Sequence, residues 1–239
     1  MRHAPPTANV DVACLDVAAV GADEWSGLAA LLDESERARA ARFAFETDRR
    51  AYIGAHALLR VLLSRRAHVA PGDWRFASAP FGKPYLVSPP RDLAFNLSHT
   101  RGMAAVAVAE AARDIGVDVE ALAQTRDVLR VAERFFAPDE AAAIRAATAL
   151  EARNDLFFSI WTLKEAVVKA EGCGLSRGLD SFVVSLSPLR ITGAADERFS
   201  LGQWRRRGFC VAAAARGEDV AFSLEEETAA ALLAESQSG

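Results

Sequence analysis

The segment DIGVDVEAL, residues 114–122, carries two acidic side chains on an otherwise apolar stretch. Isoleucine and valine alternate with Gly116, Asp118 and Glu120, and this period of two residues is typical of a β-strand. Asp118 and Glu120 therefore point to the same face of the strand, where carboxylates roughly 7 Å apart repel each other. Neither has a lysine or arginine beside it in the sequence, which raises the question of what lies between them.

A third carboxylate lies in the segment ARNDLFFSIWTLKEAVVKAEG, residues 152–172, which we predict to be a long helix ended by Gly172. Trp161, Glu165 and Lys169 follow one another at intervals of four residues, so they share one face of this helix. A solvated Glu–Lys ion pair is one interpretation of that spacing. The helix is so apolar, however, that we expect it to run through the core, which weakens this interpretation.

Three carboxylates without a nearby histidine or cysteine offer oxygen donors only, and such donors suit a hard cation such as Mg²⁺. A cation held by Asp118, Glu120 and Glu165 would remove the repulsion between the two strand carboxylates. Since Mg²⁺ keeps positions open for water and phosphate oxygens, a phosphorylated substrate is implied. Two exposed carboxylates on an edge strand are the alternative.

The segment FNLSHTRG, residues 95–102, places Ser98 and His99 where a strand enters a tight turn. Side chains in such a position readily reach a ligand. His99 could bind a phosphate or stack on a base. An inert loop histidine is the alternative interpretation.

Further candidate contacts to an anion come from basic residues earlier in the chain. Lys83 lies in a stiff turn between Gly82 and Pro84 of the motif FGKP. Arg49 and Arg50 begin the long first helix, where backbone N–H groups and the helix dipole already favour an anion. A solvated lysine and a surface arginine pair are the alternatives.

The predicted elements that would position these residues occur twice in similar order. A first strand, VDVACLDV, is followed by two short helices, a long helix that we expect Thr47 or Asp48 to cap, and short strands that lead into a meander. The second half repeats helices, one long helix and antiparallel strands. The sequence therefore predicts an α+β fold of two similar pseudo-symmetric halves, each with a long helix packed on a small antiparallel sheet. The repetition is visible in the layout only, and we place the halves at residues 1–112 and 113–239.

Composition limits the classes of function. The chain has 239 residues, 51% of them hydrophobic and 25% charged, and its net charge of −4 argues against a nucleic-acid partner. No segment reaches the roughly 18 apolar residues of a membrane span, and the N-terminus lacks a signal-peptide pattern. Cys14, Cys173 and Cys210 form no metal-binding spacing, so we expect reduced structural thiols and a cytoplasmic protein.

The ordered motifs FGKP, FNLSHT, IGVDVE, RFF and FFSIWTLKEAVVKAEGCGLS together resemble those of the 4′-phosphopantetheinyl transferases. Size and two-half layout are similar to the surfactin-synthetase type of that family, not to the short trimeric type that acts as holo-acyl-carrier-protein synthase. The resemblance covers roughly residues 35–186. The combination of G-[IV]-D-[IV]-E with W-[ST]-x-K-E-[AS]-x-x-K is highly specific to the family.

The resemblance implies that the phosphopantetheine arm of coenzyme A is transferred to a serine hydroxyl of an apo acyl or peptidyl carrier protein, with release of 3′,5′-ADP. By motif position, Asp118, Glu120 and Glu165 correspond to the Mg²⁺ ligands, and Glu165 also to the base that takes the serine proton. Lys169 would be a second catalytic residue that neutralises charge on the pyrophosphate. The positions implied in coenzyme A binding are Arg50 (only approximately aligned), Lys83, Pro84, Ser98, His99, Asp118 and Lys169.

The carrier protein is expected on the surface around RVAERFF and VVKAEGCGL, and the enzyme is expected to act as a monomer. Two departures from relatives put charge contacts in question. Cys173 stands where some relatives carry a basic residue, and some relatives carry an arginine in the first long helix near His56, where this chain has the histidine instead. The alternatives are a binding module for coenzyme A or a carrier protein that has lost catalysis, and a Mg²⁺-dependent nucleotide hydrolase. The presence of all three carboxylates and Lys169 argues against the first, and the absence of a GxxxxGK[ST] motif argues against the second.

Overall fold

The structure is a computed structural model that describes residues 8–79, 81–89, 92–110, 114–123, 127–174, 177–193 and 198–236. The helices within these ranges are α1 (Glu24–Ala30), α2 (Glu34–Ala40), α3 (Glu46–Ala67), α4 (Val128–Phe135), α5 (Pro138–Ala146), α6 (Leu150–Glu171) and α7 (Ala229–Ser236). The strands are β1 (Ala8–Asp16), β2 (Arg75–Ser78), β3 (Pro84–Ser88), β4 (Leu93–Thr100), β5 (Met103–Glu110), β6 (Ile115–Ala121), β7 (Val183–Leu186), β8 (Leu189–Thr192), β9 (Phe199–Arg206), β10 (Phe209–Arg216) and β11 (Val220–Glu227).

The order of elements repeats. One strand, three helices and four strands run from β1 to β5, and the same series runs from β6 to β10. In each half the first strand pairs antiparallel with the last, giving the sheet orders β1-β5-β4 and β6-β10-β9. A separate two-stranded hairpin, β2-β3 or β7-β8, comes before the last two strands of each half. The predicted α+β fold is therefore confirmed.

The last strand and helix lie with the first half, which the sequence prediction did not anticipate. Strand β11 pairs with β1 in parallel, from Ala8 opposite Val220 to Leu15 opposite Glu227, so the first sheet is mixed and not purely antiparallel. Helix α7 follows it and is tied to α3 through Arg65. The predicted turn and boundary around 112/113 fall on residues 111–113, outside the described residues, and the division stays a prediction.

Three apolar cores show how the layers are stacked. Helix α3 packs on the first sheet, with Leu58 in that core, and α6 packs on the second sheet, with Val167 in that core. The remaining faces of the two sheets pack on each other, with Val117 in this third core. Because successive strand residues point to opposite faces, Asp118 and Glu120 face α6 instead.

Both long helices have 22 residues and end in a left-handed residue. Helix α6 ends at Gly172 with φ 68°, as predicted, and α3 ends at His68 with φ 51°. Helix α3 begins two or three residues earlier than expected, with Phe45 at the N-cap and no side-chain cap, so the expected caps Thr47 and Asp48 lie inside its first turn. Within the ranges that the structure describes, no helix is both long and apolar enough to cross a membrane.

Candidate active site

The site begins where β6 passes under α6. A Cβ added to Gly116 would lie 2.0 Å from the carbonyl oxygen of Ala166 and 2.5 Å from the nitrogen of Ala170, so only glycine allows this close approach of helix and strand. Asp118 follows two residues later on the same face and is 5% exposed. We call Asp118, Glu120 and Glu165 of α6 the carboxylate seam.

Lys169 supplies the positive charge beside Asp118. Its Nζ lies 2.7 Å from Asp118 Oδ1 and 2.8 Å from Ser98 Oγ, and the Ser98 hydroxyl lies 3.0 Å from the same carboxylate oxygen. Three elements, β4, β6 and α6, therefore meet at one carboxylate. The sequence could not show this partner, because Lys169 lies 51 residues after Asp118.

Glu165 is half-buried next to this cluster. Burial, followed by the negative charge of Asp118, raises the pKa of Glu165; Lys169 acts in the opposite direction, and Glu120 adds to the increase. The mutual repulsion that the sequence predicted for the strand carboxylates thus extends to the helix carboxylate. A carboxyl group with a raised pKa is better suited to accept a proton than an ordinary surface glutamate.

The seam fits a divalent cation by its donor chemistry. Asp118 Oδ2 is buried and has no hydrogen-bond partner, and the three carboxylates are the hard oxygen donors that Mg²⁺ prefers. Among the described residues, however, no group of three or more metal-ligating side chains is already gathered. The ammonium group of Lys169, and not a second carboxylate, is the group that contacts Asp118. The assignment of the three carboxylates as metal ligands therefore stays a prediction.

A cleft of about 570 Å³ adjoins the seam. It lies between α2, α3, the β2–β3 hairpin and the end of β4, and we call it the nucleotide-sized cleft. Ser98, His99 and Lys169 line this cleft and also the open groove that contains Asp118 and Glu120. The structure thus brings these predicted contacts together at the junction of both spaces.

His99 lies in a positively charged part of the cleft. Burial, followed by the positive charges of His56, Lys169 and Arg39, lowers the pKa of His99 to about 4, and the negative charge of Asp48 acts in the opposite direction. The side chain is nevertheless exposed to the open cleft, where a ligand can reach it. An anion bound here would oppose the decrease.

The FGKP motif reaches the cleft through Gly82 and Pro84. The ammonium group of Lys83 instead donates to the carbonyl oxygens of Ala170, at 2.7 Å, and Ile115, at 3.3 Å. Burial accordingly lowers the pKa of Lys83. Lys83 therefore connects the hairpin of the first half to the seam elements of the second, and its predicted contact with coenzyme A stays untested.

Arg50 is not brought to the cleft. Tyr52 and His56, one helical turn apart, face it, and a residue two positions before Tyr52 points to another side of the helix. The Arg50 guanidinium lies over the Trp25 ring, 5.2 Å from its centroid, and pairs with Glu46. The geometry of α3 thus gives no support to the expected contact.

Sequence reasoning missed a different arginine. Arg39 of α2 lines the cleft, 5.6 Å from the centroid of the Tyr52 ring, and Tyr52 in turn lies 4.0 Å from the His56 ring. No motif marked Arg39, because its place in the cleft depends on how α2 packs against α3. Stacking and cationic groups side by side are the features that bind a base and a phosphate.

Two of the three cysteines have the buried position expected of structural thiols. Cys14 and Cys210 form no disulfide, and burial raises the pKa of the Cys14 thiol to about 12 and that of Cys210 to about 11. Such thiols are not nucleophiles at neutral pH.

Comparison with known proteins places this geometry in a family. Residues 114–214 match the 4′-phosphopantetheinyl transferase superfamily, and residues 20–111 match a family described as 4′-phosphopantetheinyl transferase, N-terminal. The chain is 39% identical over 163 residues to the 4′-phosphopantetheinyl transferase HetI of a Nostoc species, covering 67% of this chain and 68% of the relative. It is 33% identical over 156 residues to the 4′-phosphopantetheinyl transferase Sfp of Bacillus subtilis, covering 65% of this chain and 66% of the relative.

A putative 4′-phosphopantetheinyl transferase of a Synechocystis species is 34% identical over 158 residues, with 66% of this chain and 63% of the relative covered. The matches thus span about two thirds of these relatives. They include the motifs on β6 and α6 from which the family resemblance was predicted. The chain therefore belongs to the 4′-phosphopantetheinyl transferase superfamily, and it is a phosphopantetheinyl transferase.

Proposed function

We propose that this enzyme transfers the 4′-phosphopantetheine arm of coenzyme A to a serine hydroxyl of an apo acyl or peptidyl carrier protein, releases 3′,5′-ADP and requires Mg²⁺. One observation carries the proposal: the nucleotide-sized cleft joins the carboxylate seam at Ser98, His99 and Lys169. A nucleotide held in the cleft would extend its pyrophosphate towards the seam.

The seam residues have separate roles in the proposal. Asp118, Glu120 and Glu165 would hold Mg²⁺, which supplies charge neutralisation for the pyrophosphate. Glu165, with its raised pKa, accepts the serine proton, because a serine hydroxyl is a poor nucleophile unless a base removes that proton. Lys169 is half-buried, and its ammonium group lies at the junction of the two spaces, where it can also contact the pyrophosphate.

The nucleotide end occupies the cleft in this proposal. Arg39 provides positive charge, the imidazoles of His56 and His99 can donate hydrogen bonds, and Tyr52 provides an aromatic face. Coenzyme A carries two anionic groups, the pyrophosphate and the 3′-phosphate. Since the reacting pyrophosphate belongs at the seam, the basic side chains in the cleft suit the 3′-phosphate.

The two halves would divide the work. Residues 1–112 contribute most of the cleft and residues 113–239 the seam. The carrier protein would dock near α4 and the C-terminal end of α6, the end that carries Lys169. A single chain forms both the cleft and the groove, so we propose a monomer. We also propose a cytoplasmic location, with which the unbridged Cys14 and Cys210 are consistent.

The proposal is tested by incubating the enzyme with coenzyme A, Mg²⁺ and a panel of apo carrier proteins, and reading the mass of each carrier. At least one carrier should gain a phosphopantetheine group and release 3′,5′-ADP in equal amount. A chelator should stop the reaction, and added Mg²⁺ should restore it. Coenzyme A binding without transfer to any carrier would favour a binding module, and coenzyme A cleavage without a carrier would favour a hydrolase.

A further inference from the structure

Behind the cleft wall lies a buried ionic network centred on Arg60. This arginine is fully buried in α3, and its guanidinium donates to Glu36 Oε2 at 2.8 Å, to Asp33 Oδ2 at 2.8 Å and to the carbonyl oxygen of Pro71 at 2.7 Å. Glu36 also accepts from the backbone nitrogen of Asp33, which forms the capping box at the start of α2. One oxygen of Glu36 is therefore fully used by structural bonds.

The other oxygen of Glu36 points to the cleft. Glu36 Oε1 lies 2.7 Å from His56 Nδ1, and both residues line the cleft. Although burial alone would raise it, the hydrogen bond and charge of His56 and the charge of Arg60 lower the pKa of Glu36. An ionised carboxylate only accepts hydrogen bonds, so Nδ1 of His56 must be the donor, and Nε2 is left to meet a ligand.

A carboxylate in the wall of an anion-binding cleft would by itself repel the ligand. Here both oxygens of Glu36 are compensated, one by Arg60 and one by His56. A carboxylate behind an imidazole favours the imidazolium form and fixes the ring orientation. Arg39 and His99 line the same cleft as the His56 ring, and Arg39 adds positive charge there.

The second half contains the same network without the histidine. Glu140 of α5 forms the capping box with the nitrogen of Ala137 and pairs at 2.9 Å with Lys164, which is fully buried in α6. Glu140 precedes Lys164 by 24 residues, the separation also found between Glu36 and Arg60. The remaining oxygen of Glu140 accepts from the nitrogen of Val184 and serves structure only.

Resting on the proposed function, we propose that Glu36, held by Arg60, is a positioning residue that orients His56 to bind the 3′-phosphate of coenzyme A. This assignment gives the imidazole of His56 a buried carboxylate partner that fixes the orientation of its ring. Arg60 and Glu36 do not touch the substrate. They act through the His56 ring.

The test measures the affinities of adenosine 3′,5′-bisphosphate and adenosine 5′-monophosphate by calorimetry. The two ligands differ only in the 3′-phosphate, so the affinity of the first divided by that of the second measures how strongly the protein binds that group. His56→Gln and Glu36→Gln should each lower that ratio about tenfold, the usual worth of a charge-assisted hydrogen bond. The double variant should fall no further than His56→Gln alone, because Glu36 acts through His56. KM for coenzyme A should rise in both single variants with little change in kcat.

Glu140→Gln is the matched control, since it removes the equivalent buried charge in the other half. It should lower the melting temperature about as much as Glu36→Gln does and leave the affinity ratio unchanged. An unchanged ratio in Glu36→Gln would overturn the proposal, and so would a full further decrease when Glu36→Gln is added to His56→Gln. Absence of transfer by the wild type, with the ratio behaving as expected, would instead count against the proposed function alone.

Discussion

The two halves of this enzyme are built alike but differ where the long helix meets the sheet. Ala13 lies opposite Val106, the fourth residue of β5, and Asp118 lies opposite Ala212, the fourth residue of β10. By the same comparison Leu15 corresponds to Glu120. Where the first half has buried apolar side chains, the second has carboxylates.

The helices show the same substitution. Val61 of α3 occupies the position of Glu165 in α6, one residue after Arg60 and Lys164 respectively. Val61 is 2% exposed within the first apolar core. The first half thus shows an apolar version of the seam, and we attribute the carboxylates of the second half to the proposed chemistry.

The capping-box carboxylates, in contrast to those of the seam, are present in both halves. Glu36 and Glu140 have equivalent partners in Arg60 and Lys164. The sequence had suggested a repetition of the layout only, but the structure shows that these ion pairs are repeated as well. Only Glu36 has a histidine on its free side. One structural pair has become part of the cleft, and the other has not.

The largest effect is expected from Asp118→Ala, which gives the second half the residue of the first. Transfer to the carrier should fall below detection in Mg²⁺, because the seam loses a ligand and Lys169 loses its partner. The fold should persist, since Lys169 is half-buried and can turn to water. Single-turnover transfer and thermal unfolding measure the two.

Asp114→Ala is the control for this change. Asp114 is exposed, just before β6, and pairs with Arg216. Its removal should leave transfer unchanged. Full activity of Asp118→Ala would exclude Asp118 from the metal site.

The next largest effect is expected from Glu165→Gln, which keeps the side-chain shape but removes basicity. Transfer should slow by roughly 10²–10⁴, the usual contribution of a positioned acid–base group. Coenzyme A affinity, measured by calorimetry, should be retained. Near-wild-type transfer would show that Glu165 is not the base.

The reciprocal change, Val61→Glu, tests the first half. A carboxylate at this buried position should lower the free energy of unfolding by about 3 kcal/mol or more, because it loses its hydration and Arg65, the cation one turn further on, already pairs with Glu227 and Glu235. Chemical denaturation measures the loss, and Val61→Leu is the apolar control. A loss as small as that of the control would mean that the two seams do not differ as described.

The smallest expected effect is a pH dependence of stability without coenzyme A or Mg²⁺. Because the pKa of Glu165 is raised in the folded protein, its contribution is complete below the ordinary value of 4.5 and is lost as pH rises through the raised pKa. Glu165→Gln lacks this loss. The melting temperature of Glu165→Gln relative to that of the wild type should therefore rise as the pH increases from about 4.5 to about 7.

Glu151→Gln, at the exposed start of the same helix, should show no such gain. An equal difference between Glu165→Gln and the wild type at both ends of that pH range would contradict the raised pKa. The measurement is thermal unfolding across the range in a chelating buffer.

The sequence by itself determined the local geometry of the site. The period of two residues placed Asp118 and Glu120 on one face of a strand, and Gly172 ended α6 where predicted. The motif order also identified the family. These properties depend on neighbours in the chain, so they can be seen without the fold.

Only the tertiary structure decided which side chains meet. It placed Lys169 on Asp118, directed Lys83 to backbone carbonyls and brought Arg39, in place of Arg50, to the cleft. It also returned β11 to the first sheet. Each of these contacts joins residues far apart in sequence or depends on the rotation of a helix about its axis. The packing of helices on sheets sets the long-range contacts and the helix rotation alike, and that packing is the sum of many weak contacts spread over the whole fold.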